Sequence, residues 1–184
     1  MLSVKQDVVL ALDSPWTIMP PLRLGKIPPG VGTADLFITI RDDDRPLLRV
    51  DLYGDFSEET FTFQHAFVWR ERVFVGHGHK VYVIDPIKQS AAEIFLAAVG
   101  EGLGYFGYFY SGEDYLLVAS ADSLVRLSSE GKVLWRVPNL GLDGVVVNSV
   151  KNGLIQGEGE WDPPDGWRPF TVRLDSGELI AGGF

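Results

Sequence analysis

Several of the most apolar stretches of this chain are only three or four residues long. Val73-Phe74-Val75, Val81-Tyr82-Val83-Ile84, Tyr115-Leu116-Leu117-Val118 and Val145-Val146-Val147 are continuously hydrophobic and are bounded by Gly, Asp, Ser or Asn. Runs this short cannot form buried helices. A strand covered on one face alternates apolar with polar, whereas a strand covered on both faces need not. The runs therefore predict strands sandwiched between stacked sheets. Elsewhere, alternation marks a strand over 61–69, with Phe61, Phe63, His65, Phe67 and Trp69 on one face. Leu36–Ile40 and Leu47–Leu52 read as two more strands around an Arg41-Asp42-Asp43-Asp44-Arg45-Pro46 turn. The triple Asp is a solvated turn or, alternatively, a cation site. Gly (21) and Pro (11) are scattered as punctuation among these runs. Residues 15–34 are so rich in Pro that they predict an irregular leader without a helix or a central strand.

Three stretches share one pattern of strand, short turn, strand, glycine turn and strand. They begin at Arg72, Tyr115 and Gly153, and their equivalent positions Asp85, Ser128 and Asp175 lie 43 and 47 residues apart. That period is the one of propeller blades. Over 90–99 a capping-box pattern at Ser90-Ala91-Ala92-Glu93 would start a helix, but the repeat favours a strand over 93–98. The third copy is interrupted by 157–169, which reads as an insertion loop.

The repeats resemble the β-propeller blades of quinoprotein type, in which an apolar strand ending in Asp is followed by Gly-Lys-x-x-Trp. Gly131-Lys132-Val133-Leu134-Trp135 carries that motif in full; Gly177-Glu178-Leu179-Ile180 keeps only the glycine, and neither Gly nor Trp follows Asp85. The resemblance covers about residues 65–184 and implies an all-β fold, an incomplete or four-blade-like β-propeller of short antiparallel sheets. At 184 residues, four blades would have 46 residues each, and four is about the smallest ring that closes. The alternative is an open stack of three sheets. The expected organisation is a single domain, with an irregular N-terminal part over 1–60 and three blade-like repeats over 61–184. Quinone binding is not expected, because blades are missing and the chain has no cysteine pair. No cofactor is expected.

Lys and Arg number 16 and Asp and Glu 25, a net charge of −9 that argues against nucleic acid as a partner. The absence of cysteine excludes disulfides, thiolate nucleophiles and thiolate metal sites. The apolar run Val8–Leu12 is too short for a signal peptide or a membrane span, so a cytoplasmic protein with no membrane partner is expected.

Two constellations are candidates for chemistry. His77-Gly78-His79 and His65 could supply three imidazoles to a zinc ion, although the repeat places His77 to His79 in a hairpin turn and His65 on a core face. The 157–169 stretch offers Glu158, Glu160, Trp161, Asp162, Asp165 and Trp167 around a rigid Pro163-Pro164. It reads as a preformed aromatic and acidic binding loop, or as a loop whose tryptophans cover a sheet edge. Calcium is a third possibility, without EF-hand spacing. The aromatic block Tyr105-Phe106-Gly107-Tyr108-Phe109-Tyr110 reads as core and cross-strand packing. The expectation is a non-enzymatic binding protein that neutralises a basic protein partner, as an immunity protein does. The alternatives are a small metal-dependent hydrolase or lyase built on the histidines, and a carbohydrate-binding module.

Overall fold

The structure, a computed structural model, describes residues 1–8, 15–54, 63–96, 104–162 and 166–183. Among these the only helical element is a single 3-10 turn at Pro15–Thr17, and no helix is long and apolar enough to cross a membrane. The strands are β1 (Leu2–Asp7), β2 (Leu22–Gly25), β3 (Leu36–Asp42), β4 (Arg45–Tyr53), β5 (His65–Trp69), β6 (Arg72–His77), β7 (Lys80–Asp85) and β8 (Ser90–Phe95). They continue as β9 (Phe106–Ser111), β10 (Leu116–Ser120), β11 (Leu124–Leu127), β12 (Val133–Val137), β13 (Gly144–Lys151), β14 (Leu154–Trp161), β15 (Gly166–Arg173) and β16 (Leu179–Ala181).

These form four four-stranded sheets, the strand count of a propeller blade. Three are meanders in chain order: β5 to β8, β9 to β12 and β13 to β16. The sequence repeat covers the second, third and fourth strands of each. Residues 90–95 are strand β8, so a strand forms here in place of a helix, but it starts three residues before the expected 93–98 span, of which 97 and 98 lie outside the described residues. The first sheet is different. Its order is β1-β3-β4-β2, and β2 runs parallel to β4. The Pro-rich leader is thus less irregular than its composition suggests, since it contributes an edge strand. Gly25 makes that pairing possible: its φ is +85°, and a Cβ there would come within 1.9 Å of the Tyr53 carbonyl oxygen.

The chain divides into two compact units, Met1–Phe61 with His65–Val75 and Tyr82–Glu93, and Thr62–Gln64 with Gly76–Val81 and Ile94–Phe184. In the first, Leu36, Ile38 and Ile40 of β3 sit opposite Leu52, Val50 and Leu48 of β4, so one face of the β3–β4 pair is apolar over these six residues. It packs with Val73, Val75, Tyr82 and Ile84. Each fully buried aliphatic side chain here contributes about 1.5–3 kcal/mol. In the second unit Leu117, Ala119 and Leu124 pack with Val145, Ile155, Phe170 and Val172. Three of the continuously apolar runs are buried on both faces, as expected, with Val73, Phe74 and Val75 all 0% exposed, whereas in the fourth only Val145 is buried and Val146 and Val147 are half-buried.

The repeat positions close turns in related ways. Asp85 Oδ1 accepts the backbone N–H of Ile87 (3.1 Å) and Lys88 (3.0 Å), and Ser128 Oγ accepts those of Glu130 (3.2 Å) and Lys132 (3.1 Å). In the third copy Ser176 takes the role, accepting the Glu178 N–H at 3.2 Å. Asp175 instead faces Arg126 at 3.5 Å.

Candidate functional site

The stretch expected to be an insertion loop is largely sheet. Residues 157–161 belong to β14 and 166–169 to β15, paired without a register break from Leu154↔Arg173 to Trp161↔Gly166. The reason lies in the glycines. Gly157 and Gly159 occupy the inward positions of β14, where a larger side chain would normally stand. A Cβ on Gly157 would come within 2.4 Å of the Phe170 ring, and one on Gly159 within 1.5 Å of the Leu140 carbonyl oxygen. The Leu142 N–H then reaches the Glu160 carbonyl at 2.7 Å. Gly-Glu-Gly-Glu is therefore a period-2 strand with glycine inside and acid outside.

Alternation assigns the candidates to two faces. Trp161 shares the inner face with Gly157 and Gly159. Glu158, Glu160 and Trp167 share the outer face, where Gly144, Glu160 and Trp167 are direct cross-strand partners on β13, β14 and β15. The two tryptophans thus belong to opposite faces and do not form one aromatic surface. Trp167 is 48% exposed. Its indole reaches across β14 toward Gly144, where an added Cβ would meet it at 3.2 Å and Glu160 Oε2 at 3.6 Å. Glu158 Oε2 accepts a hydrogen bond from Asn148 Nδ2 at 3.3 Å. Pro169 lies opposite Glu158, beyond the two residues of β15 that pair with β16. Its missing N–H therefore costs no ladder bond on the β16 side. Asp162 follows β14 in an exposed turn. Asp165, with Pro163 and Pro164, lies outside the described residues.

The histidines lie elsewhere. His77 ends β6, Gly78 (φ +56°) and His79 form the two-residue turn, and Lys80 begins β7. The turn is held through its backbone: Gly78 O accepts the Phe106 N–H and His79 O the Leu96 N–H, both at 2.8 Å. The His79 ring stacks on Tyr105 with centroids 4.0 Å apart, and His65 packs on Phe67 at 5.6 Å. Among the described residues, no three His, Asp or Glu side chains gather as a metal-ligating group. The Asp42–Asp44 turn has positive φ at Asp43 and Asp44, and Arg41 Nη1 donates to the Asp44 carbonyl at 3.0 Å. In the aromatic block Phe106 and Phe109 are buried with rings 4.7 Å apart, while Tyr108 is exposed.

One element missed in the sequence belongs to the surroundings of the first sheet. Trp16 is buried on that sheet's polar face, where its ring lies 5.1 Å from the Arg41 guanidinium and its carbonyl accepts Arg49 Nη1 at 3.0 Å. No periodic pattern could have placed it, since it sits in an irregular Pro-rich segment.

No protein-family model matches the chain, and no curated protein matches it. Among solved structures the chain is similar to the WD40 domain of Pan2 from Neurospora crassa. The TM-score is 0.47 at 10% identity, over 79% of this chain and 46% of that domain. The chain thus spans less than half the length of the domain it matches.

Proposed function

We propose that this protein is a non-enzymatic binding module of the cytoplasm that engages a basic protein partner through the outer face of its fourth sheet. The observation that carries the reading is the Gly144, Glu160, Trp167 row with Glu158 beside it. Two carboxylates and a half-exposed indole stand on a rigid sheet, so little ordering cost attends binding. A lysine or arginine laid along Trp167 gains a cation–π contact and the attraction of both carboxylates. A net charge of −9 steers a basic partner toward the chain as a whole. Neutralisation of a basic toxin, as by an immunity protein, is the concrete form of this proposal. The blades are proposed as quinoprotein-type repeats on the strength of Gly131 to Trp135, in a module that uses no quinone.

The test is calorimetric titration with an arginine- and lysine-rich peptide at low and at physiological salt. Glu158→Gln with Glu160→Gln should weaken binding about tenfold or more. Glu113→Gln with Glu130→Gln, which removes the same charge from exposed positions elsewhere, should weaken it far less. Equal losses in the two double variants would mean that only net charge is being read, and the proposed face would be abandoned.

A further inference from the structure

The polar face of the first sheet carries a pocket. Phe37, Thr39, Arg49 and Asp51 point to this face, opposite the Leu/Ile/Val core. They are nonetheless covered: Phe37 is 8% and Asp51 4% exposed. The cover is the Pro-rich leader. Between its two runs, 17–21 and 31–34, and the sheet lies an open pocket of about 520 Å³, floored by Phe37, Tyr53, Arg49 and Asp51. That volume suits a small organic ligand.

The pocket carries net positive charge although the chain as a whole is acidic. Two guanidinium groups, Arg23 and Arg49, line it with a single carboxylate, Asp51. Arg49 takes both oxygens of that carboxylate, Nε to Oδ1 at 2.6 Å and Nη2 to Oδ2 at 2.8 Å. It also stacks over Phe37 at 5.5 Å. Arg23 is the direct cross-strand partner of Asp51 on β2, yet Asp51 is already committed to its neighbour. Among the described residues no carboxylate pairs with Arg23, which therefore stands exposed at the pocket. The walls are apolar, with Met19, Pro20, Pro21 and Val31.

A buried ion pair contributes little net stability against an apolar replacement, so Arg49 and Asp51 are better explained as fixing the pocket floor than as holding the fold. We propose that this pocket binds a small organic carboxylate with an apolar tail. The carboxylate rests on Arg23, and the tail lies over Phe37 between the two proline-rich walls. A guanidinium presents paired N–H donors that match a carboxylate.

The experiment uses phenylacetate as the probe and the full chain, followed by saturation-transfer NMR and calorimetry. Phenylacetate should bind, and its uncharged analogue phenylacetamide should bind about tenfold more weakly or not at all. Arg23→Gln should cause the same loss with an unchanged melting temperature, because Arg23 is exposed. Thr33→Trp, which fills the pocket and leaves the charge, should abolish binding. No transfer to phenylacetate, equal binding of the amide, or full binding by Arg23→Gln or Thr33→Trp would each overturn the proposal.

Discussion

Trp135 and Leu174 are joined across two sheets by a hydrogen bond of 2.8 Å from the indole N–H to the carbonyl oxygen. Arg126 Nη1 donates to the same oxygen at 2.9 Å. One carbonyl of the β15–β16 turn thus anchors both β11 and β12. Trp135→Phe keeps an aromatic ring and leaves the Arg126 bond in place, so it should cost only about 1 kcal/mol. Trp135→Ala also removes the ring and should cost about 3 kcal/mol. Urea denaturation followed by circular dichroism separates the two; equal losses would show that the ring contributes nothing beyond its N–H.

The same indole lies against another residue of that turn. Gly177 has φ +73°, and a Cβ there would come within 2.8 Å of Trp135 Cγ and Cδ2. Gly153 has nearly the same φ, +74°, with open space around it. Gly153→Ala should therefore cost only the left-handed backbone term, about 1 kcal/mol. Gly177→Ala should cost about 1–3 kcal/mol more, from the collision with the ring. The excess should vanish in a Trp135→Ala background, as a double-mutant cycle would report. An excess that survives there would place its origin in the backbone.

Asp85 should make stability sensitive to acid. Its carboxylate accepts the Lys88 and Ile87 N–H groups and pairs with Arg72, with the Asp85 side chain 14% exposed. The Lys88 N–H first, and then Arg72, hold its carboxyl below the usual carboxylate range. A lowered folded-state value means that the unfolded chain takes up the proton first as pH falls. The stabilisation is complete at neutral pH, above the ordinary carboxylate value of about 4, and is lost as pH drops through the folded value. Asp85→Asn retains an oxygen for the two N–H groups and removes only the charge. It should lower stability at pH 7 and leave a shallower decline toward pH 3. Parallel stability–pH curves for the two proteins would contradict this.

What the sequence discloses depends on how burial is achieved. Val73–Val75, Val81–Ile84 and Leu116–Val118 are legible because both faces are covered by side chains, and hydrophobicity records that directly. The repeat likewise shows in its turns, where Asp85 and Ser128 must cap backbone N–H groups whatever the partner sheet. The β14–β15 hairpin is misread for the opposite reason. Gly157 and Gly159 are buried because backbone and a phenyl ring press on them, and a glycine has no hydrophobicity to signal this. Their acidic neighbours then make a strand look like a loop. β2 escapes notice because a four-residue edge strand between prolines has no periodicity of its own; Leu22 to Gly25 are ordered by β4. Trp161 and Trp167 lie close together in the chain, yet strand parity puts them on opposite faces.

That separation yields a discriminating prediction for the two tryptophans. Trp167 stands on the open outer face, about half exposed, with Gly144 and Glu160 as its cross-strand neighbours. Truncating it removes little packed surface, so Trp167→Ala should cost less than about 1 kcal/mol. Trp161 shares the inner face with Gly157 and Gly159 and is more enclosed. Its loss should cost about 2–3 kcal/mol, since a cavity is left beside a packed face. Binding of a basic peptide should show the reverse order. Trp167→Ala should lose about tenfold or more in affinity, and Trp161→Ala, assayed where it is still folded, should retain most of it. Should Trp167→Ala unfold the protein as readily as Trp161→Ala, the outer face is a packed surface. The binding role assigned to Glu158 and Glu160 would then lose its support.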